Sequence, residues 1–394
     1  MGWKETCPMT ERMQFLADVQ SGELSFSEAC RRRGISRKTG YKLWKRFRSE
    51  GVAALAERSR APIRHPHAVE AAVVAKLLAA RQTHPYWGPR NLIDWLVRRE
   101  PGSRWPAPST VGELLKRNGL VQSRRRRRRS PPYSAPFVSA DRPNALWSID
   151  FKGQFRTQDQ RYCYPLTVSD GFSRYLLLCR GLASTEGAPV RLWLERTFRE
   201  YGLPVAIRSD NGAPFASVGL GGLTRLSAWW VRLGIVPERI APGCPAQNGR
   251  HERMHRTLAE AVQRTPAASL AAQQLPLEHF RREYNEERSH QSLARRTPSE
   301  LYRASARPYP RRLPPLEYPS RYSVRRVCHS GEFKWRGQFV YVSQVLTGEP
   351  IGLDPIADGR WCVYYGLLPL GTLDARSARA PRIEPLSRES RNAA

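Results

Sequence analysis

The 394-residue chain has no apolar run approaching the roughly 20 residues that span a bilayer; its longest runs are as short as Ala71 to Ala75. Its first residues carry charge too early for a secretory signal, so a soluble cytoplasmic protein with no membrane partner is expected. Paired cysteines are also missing. The seven thiols, at 7, 30, 163, 179, 244, 328 and 362, are odd in number and far apart, which argues against a disulfide framework and a CxxC zinc site. The eight histidines are not read as a ligand set, so a bound metal falls to carboxylates. Acidic residues are scarce beside basic ones, 35 Asp and Glu against 65 Lys and Arg, a formal net charge of +30. That imbalance requires a partner of dense negative charge.

What is present is enough to fold. Hydrophobic residues make up 40% of the chain, with 11 Trp, 15 Tyr and 12 Phe, whereas a disordered polycation buries too little to offset its ordering entropy. At about 150 residues per domain, the length allows two to four domains. An anionic membrane would be met by one amphipathic helix with a basic face. Here Arg and Lys are spread from Arg31 to Arg391 through separate segments, as neutralising nucleic-acid phosphates over a long footprint requires.

Residues 9 to 58 predict three short helices. Met13, Leu16 and Val19 share one face; Phe26, Ala29 and Cys30 share another, with Ser25 or Ser27 as cap; Tyr41, Trp44 and Phe47 recur at three-residue spacing after Ser36. Gly34 falls where a helix end takes a left-handed residue. The layout is that of a helix-turn-helix, whose third helix would present Arg37, Lys38, Lys42, Lys45 and Arg46 to a major groove. An ordinary three-helix bundle with a solvated basic face fits the same pattern. A second helical unit follows, with helices near Ala68 to Gln82, Pro89 to Arg99 and Pro108 to Asn118; Pro89 and Pro108 stand where a first turn tolerates proline. Six arginines, Arg124, Arg125, Arg126, Arg127, Arg128 and Arg129, then precede Pro131 and Pro132. Such a run repels itself until a phosphate backbone orders it; a nuclear-import signal is the alternative.

From about Asp141 short apolar strands alternate with helices. Ala145 to Phe151, Tyr162 to Ser169 and Tyr175 to Leu182 predict a three-strand meander. Helix Pro189 to Tyr201, strand Val205 to Ser209, helix Ser227 to Leu233, strand Ile235 to Ile240 and helix Asn248 to Arg264 follow. A mixed α/β sheet with helices packed on it fits this order. Between about Pro319 and Asp374, short alternating runs and the hairpin signal Asp358-Gly359 predict a small SH3-like barrel. The tail beyond Ala375 has no periodicity and is expected to be disordered.

Three acids stand in unusual settings. Asp150 lies near the end of Leu146-Trp147-Ser148-Ile149-Asp150-Phe151, opposite in phase to Trp147, Ile149 and Phe151. Asp210 ends Ile207-Arg208-Ser209-Asp210-Asn211-Gly212, where Asn and Gly force a turn. Glu252 lies in the first turns of a helix opened by Gln247-Asn248-Gly249, with Asn248 as a natural cap. Singly, each is better explained as a surface or turn-capping residue. Together at one sheet edge they would repel unless cations lay between them. Magnesium takes oxygen ligands and leaves positions for phosphate oxygens. His251 and His255 flank the glutamate, and His255 either touches DNA or packs.

The segments WSIDFKG, SDNG and QNGRHERMHRTL resemble the catalytic core of the DDE transposases of bacterial insertion sequences, in the retroviral-integrase superfamily. The resemblance covers nearly the whole chain, through Asp170-Gly171-Phe172-Ser173-Arg174-Tyr175, YNEERSHQSL and TPSELY. It implies an RNase H-like core in which Asp150, Asp210 and Glu252 are catalytic and bind two Mg²⁺ or Mn²⁺ ions, and in which Asp170 is structural. The interval from Asp210 to Glu252 is longer than is typical of integrases, the surplus falling in the glycine-rich Ser217 to Thr224. Retroviral integrases' zinc module is absent, and the helix-turn-helix units would replace it.

The implied organisation is multidomain: an all-α helix-turn-helix DNA-binding domain over 1–60, a second helix-turn-helix or winged-helix-like domain over 61–122, an Arg/Pro-rich linker over 123–140, an α/β RNase H-like core with a mixed sheet over 141–305, an SH3-like β-barrel over 306–376 and a disordered tail over 377–394. The implied activity is that of a transposase. It would bind the terminal inverted repeats of its element as double-stranded DNA, cleave strands with metal and transfer them into target DNA. At least two copies would act together, in the bacterial cytoplasm at the nucleoid. A catalytically silent DNA-binding regulator derived from such an enzyme is the alternative.

Overall fold

The computed structural model describes residues 7–57, 68–121, 139–240, 245–357, 359–374 and 382–385. The chain divides into two units, residues 1–69 and 70–394. In the first, α1 (Pro8–Ser21), α2 (Phe26–Arg32) and α3 (Arg37–Glu50) form. Ser25 and Glu28 exchange hydrogen bonds in a capping box that starts α2. Ser36 Oγ accepts the Thr39 N–H at 3.2 Å to start α3. Between these helices Gly34 takes φ +63°, a conformation that strains other residues. The α2–α3 crossing is tight, since a Cβ on Gly40 would stand 2.5 Å from Cys30 Sγ. Phe15, Leu16, Ala29, Cys30 and Leu55 form the core, with Met9 and Val19 against it. This corrects the expected face of α1: the buried stripe runs through Met9, Phe15, Leu16 and Val19, and Met13 lies off its edge, exposed. Tyr41 is exposed as well, its ring stacked on Phe26 at 4.1 Å.

The second unit opens with α4 (Ala71–Thr83), α5 (Pro89–Arg99) and α6 (Pro108–Arg117), wrapped around Leu77, Trp87, Leu92, Trp95, Val111 and Leu115. Next come β1 (Leu146–Phe151), the short β2 (Phe155–Arg156), β3 (Tyr162–Asp170), β4 (Leu176–Leu182), α7 (Gly187–Tyr201), β5 (Ala206–Ser209), α8 (Arg225–Arg232), β6 (Val236–Arg239), α9 (Gly249–Leu258) and α10 (Gln274–Arg282). The main sheet runs β4-β3-β1-β5-β6, with β2 also on β3. β3 is antiparallel to β1 and β4, and β5 is parallel to β1 and β6. It is therefore mixed, with the meander the sequence predicts. Trp147, Ile149, Leu166 and Val168 pack with Phe198 of α7 and Trp229 and Trp230 of α8 on one face. Leu176 and Cys179 pack on the other with Met254 and Leu258 of α9 and Leu277 and Phe280 of α10. The sheet is thus covered on both sides, as near-continuous burial of β1 and β3 requires.

The segment after α10 ties the opening helices to the sheet. Asn285 donates to the Leu176 carbonyl at 3.0 Å and accepts the Leu176 N–H at 2.7 Å, standing in for a neighbour beside edge strand β4. Trp95 Nε1 donates to Glu287 at 2.8 Å, Arg98 donates to the Glu287 carbonyl, and Asp94 accepts from both Ser289 and Arg295.

The C-terminal strands are β7 (Ser323–Arg326), β8 (Glu332–Trp335), β9 (Gln338–Tyr341), β10 (Pro350–Ala357), β11 (Arg360–Tyr365), β12 (Leu368–Asp374) and β13 (Ile383–Glu384). The expected SH3-like barrel is not closed among the described residues. An open antiparallel sheet of order β13-β12-β11-β10-β7 stands beside a separate β8–β9 hairpin. Both contribute to one core through Phe333, Val340, Leu353 and Val363, which also meets Ala228 and Val231 of α8. Closure needs strands long enough to serve two sheet edges, and β7, β8 and β9 have four residues each. A second correction concerns the tail expected to be disordered: Ile383 and Glu384 pair with Leu373 and Thr372 as β13, because Ile383 covers the apolar edge of this core. Residues 375–381 and 386–394 lie outside the described residues, as does Asp358.

Candidate active site

Alternation along β1 turns Trp147 and Ile149 toward α7 and α8, leaving Ser148 and Asp150 for the face that meets α9. β5 lies parallel beside β1, with Ser148 opposite Arg208, and ends at Ser209, so Asp210 emerges one residue beyond it. Asp210 Oδ1 accepts the Gly212 N–H at 3.2 Å, and the Asn211 amide donates to the Ile240 carbonyl at 2.8 Å. Those bonds pin the turn to the chain leaving β6. Glu252 stands exposed in the first turn of α9. Asn248 precedes that helix but makes no side-chain capping bond, unlike the cap the sequence predicts.

Asp150 and Asp210 are half-buried. Burial, then the charge of Asp210 and, more weakly, that of Glu252 push the Asp150 carboxyl up to about 7, against a Phe151 backbone hydrogen bond and the attraction of Lys152. Asp210 and Glu252 therefore both lie within electrostatic reach of Asp150. They do not close to ligand distance: among the described residues no three His, Cys, Asp or Glu side chains surround a point that could hold a metal ion. The donor set nonetheless fits a hard divalent cation, because it is all carboxylate oxygen and because added positive charge would relieve the repulsion that raises Asp150.

The sequence reading missed what supports Asp150. His251-Glu252-Arg253-Met254-His255 has the HExxH spacing of zinc metalloproteases, yet both rings turn into the interior. Thr167 lies opposite Asp150 in the β1–β3 ladder and donates its hydroxyl proton to the Asp150 carbonyl at 3.0 Å. Its oxygen then accepts from Nε2 of His251 at 2.8 Å and of His255 at 2.7 Å. Ser169 Oγ donates to His251 Nδ1 at 2.8 Å. One hydroxyl with one proton and two lone pairs thus fixes both imidazoles as Nε2–H tautomers. Burial holds them neutral, His251 down to about 3 and His255, with the help of His251, to about 2. The 3.7 Å approach of His255 Nδ1 to Asp150 Oδ2 is accordingly a contact with a neutral ring. His255 packs. The sequence signal was present: hydroxyls at 167 and 169 on one strand face, histidines at 251 and 255 on one helix face.

Asp170 accepts the N–H groups of Asn144 and Ser173, each at 2.7 Å, and the Ser173 hydroxyl at 2.6 Å, so it shapes the β3–β4 turn. Arg37, Lys38, Lys42 and Lys45 are exposed on α3, whereas Arg46 is half-buried and turns back to the Ala56 carbonyl at 3.4 Å. Arg124 to Arg129 lie outside the described residues. Among those described, no helix is long and apolar enough to cross a membrane.

Residues 140–245 and 233–298 match integrase core domains. Residues 11–63 match a helix-turn-helix domain and residues 39–115 a homeodomain-like domain. The insertion element IS476 uncharacterized 39.2 kDa protein of Xanthomonas euvesicatoria is 28% identical over 306 residues, 76% of this chain and 80% of its own. The insertion element IS407 uncharacterized 31.7 kDa protein of Burkholderia multivorans is 28% identical over 251 residues, 61% of this chain and 84% of its own. The Gag-Pol polyprotein of baboon endogenous virus is 33% identical over 122 residues, 31% of this chain and 7% of the polyprotein. Helix-turn-helix domains stand ahead of an integrase core, and insertion-element relatives run along most of the chain's length, a combination that supports an insertion-sequence transposase of the retroviral-integrase superfamily.

Proposed function

We propose that the chain binds the terminal inverted repeats of its element as double-stranded DNA and catalyses metal-dependent strand cleavage and strand transfer. Asp150, Asp210 and Glu252 are the carboxylates that hold two Mg²⁺ or Mn²⁺ ions. The convergence of β1, the end of β5 and the start of α9, which brings Asp210 and Glu252 close enough for their charge to raise the Asp150 carboxyl, carries the reading. Bound there, divalent ions supply Lewis-acid stabilisation of the attacking and leaving oxygens of an in-line phosphoryl transfer.

The chain's own residues prepare the site. The parallel β1–β5 pair sets Asp150 and Asp210 near adjacent strand ends. Thr167, bonded to the Asp150 carbonyl and to both rings of α9, holds strand and helix together, so Glu252 rides on a helix anchored on either side of it. Exposed Arg37, Lys38, Lys42 and Lys45 suit α3 to a major groove, with Arg124 to Arg129 as an additional basic arm. Residues 1–60 and 61–122 act as end-recognition domains and 141–305 as the catalytic core. Joining two element ends needs two active sites, hence at least a dimer, working in the bacterial cytoplasm.

Asp210→Asn tests the reading. It should abolish Mg²⁺-dependent cleavage and joining of an end-bearing duplex while leaving end binding unchanged. Cleavage at the wild-type rate would overturn the assignment, and a wild-type protein that binds ends but never cuts them would be a regulator.

A further inference from the structure

At about 100° per residue, Arg250, Arg253 and Thr257 of α9 come round to the side away from Glu252. They open onto a cavity of about 690 Å³ whose other walls are the first turn of α5 and residues 284–295. Its lining holds Arg90, Arg174, Arg250, Arg253, Arg288 and Arg295 and no carboxylate. Guanidinium groups this crowded repel one another. Burial and Arg250 bring Arg174 down to about 10, and burial lowers Arg288. Burial, with Arg288, Arg174 and Arg253, drives His290 to about 3. Internal acids answer part of this charge, Asp94 at Arg295, Asp170 at Arg174 and Glu283 with Glu260 at Arg288, while Arg288 Nη1 and His290 Nε2 are buried without a hydrogen-bond partner.

The backbone adds to the same field. α5 opens at Pro89 with no side-chain cap and no acid in its first turn, and α9 opens at Gly249 with no side-chain cap. Arg90, Asn91, Gly249 and Arg250 line the cavity, so the starts of two helices, whose dipoles place partial positive charge there, meet the six arginines, with Glu252 the acid in the first turn of α9. A wall of this kind is stabilised by closely spaced phosphates, which accept paired bonds from guanidinium groups. The volume exceeds what one phosphate needs.

We propose that this cavity grips consecutive phosphates of a DNA backbone on the side of α9 away from Asp150, Asp210 and Glu252, a second nucleic-acid site built jointly by α5 and the integrase core. The proposal rests on the reading of the chain as a DNA strand transferase.

The test uses the full chain and a short duplex lacking the terminal repeat, followed by fluorescence anisotropy across a salt series. The double variant Arg90→Gln/Arg253→Gln alters two exposed side chains and keeps the fold; Arg288→Gln probes the buried wall. The double variant should weaken duplex binding and reduce the slope of log affinity against log salt by about two, near one per lost phosphate contact. Arg288→Gln, if folded by circular dichroism, should weaken binding as well. An unchanged slope in the double variant overturns the proposal. So does tripolyphosphate raising the melting temperature of the wild type but not of the double variant while duplex binding stays equal, since the occupant would then be a free polyphosphate. Wild-type cleavage of end-bearing DNA is measured in parallel. Its loss would sink the transferase reading alone, and an unaltered salt slope the cavity alone.

Discussion

Thr167 joins three partners through one hydroxyl, and its replacement isolates that arrangement. Thr167→Val keeps the shape but orphans the Nε2–H groups of His251 and His255 and removes a bond to the Asp150 carbonyl. At about 1–3 kcal/mol per buried unsatisfied group, the variant should lose about 2–5 kcal/mol of stability in urea denaturation. Thr167→Ser, which keeps the hydroxyl, should lose much less. A valine variant as stable as the wild type would show that the rings are not held there. At this scale the sequence was legible where period alone decides. Asp150 had to face away from Trp147 and Ile149, and it does. The spacings of the hydroxyls and of the histidines are each in the sequence, but their pairing was not legible, because the partners lie more than 80 positions apart and no local period joins strand hydroxyls to helix imidazoles. The Asn248 cap failed for a local reason: a capping residue sits in extended backbone, and Asn248, buried at the helix start, takes φ −106° and ψ 17°.

Among the elements, the stretch after α10 does the most joining. Asn285→Leu removes both bonds to Leu176, which is fully buried at the edge of the main sheet. With an N–H and a C=O left unpaired, the loss should again be about 2–5 kcal/mol in urea denaturation. Wild-type stability would mean that β4 has no need of the amide. Helix starts were legible wherever a serine or proline marked them, as at Ser25, Ser36, Pro89 and Pro108. They were less legible at α10, which starts at Gln274 and carries Pro276 in its first turn, where a missing N–H is harmless. Strands of the C-terminal segment were readable from alternation. Which edges they pair through was not, because alternation records faces and carries no information about ladder partners.

For the whole molecule, charge was the most readable property. A formal net charge of +30 predicts that DNA affinity falls steeply with salt, by several units of slope in log affinity against log salt. A flat dependence in a binding titration would contradict the assignment of a polyanionic partner. Composition also separated helical from mixed segments correctly. It gave no hint that α4 to α6 share a unit with the integrase core, because that docking rests on polar pairs such as Trp95 with Glu287 and Asp94 with Arg295, which leave no periodic trace.

Glu252 and Arg253 are chain neighbours that look in different directions from one rigid rod. Tugging on the arginine side must move the acid side with it, so a duplex caught behind the helix would be felt where bonds break. If the proposed grip and the proposed incision both hold, this one helix couples them.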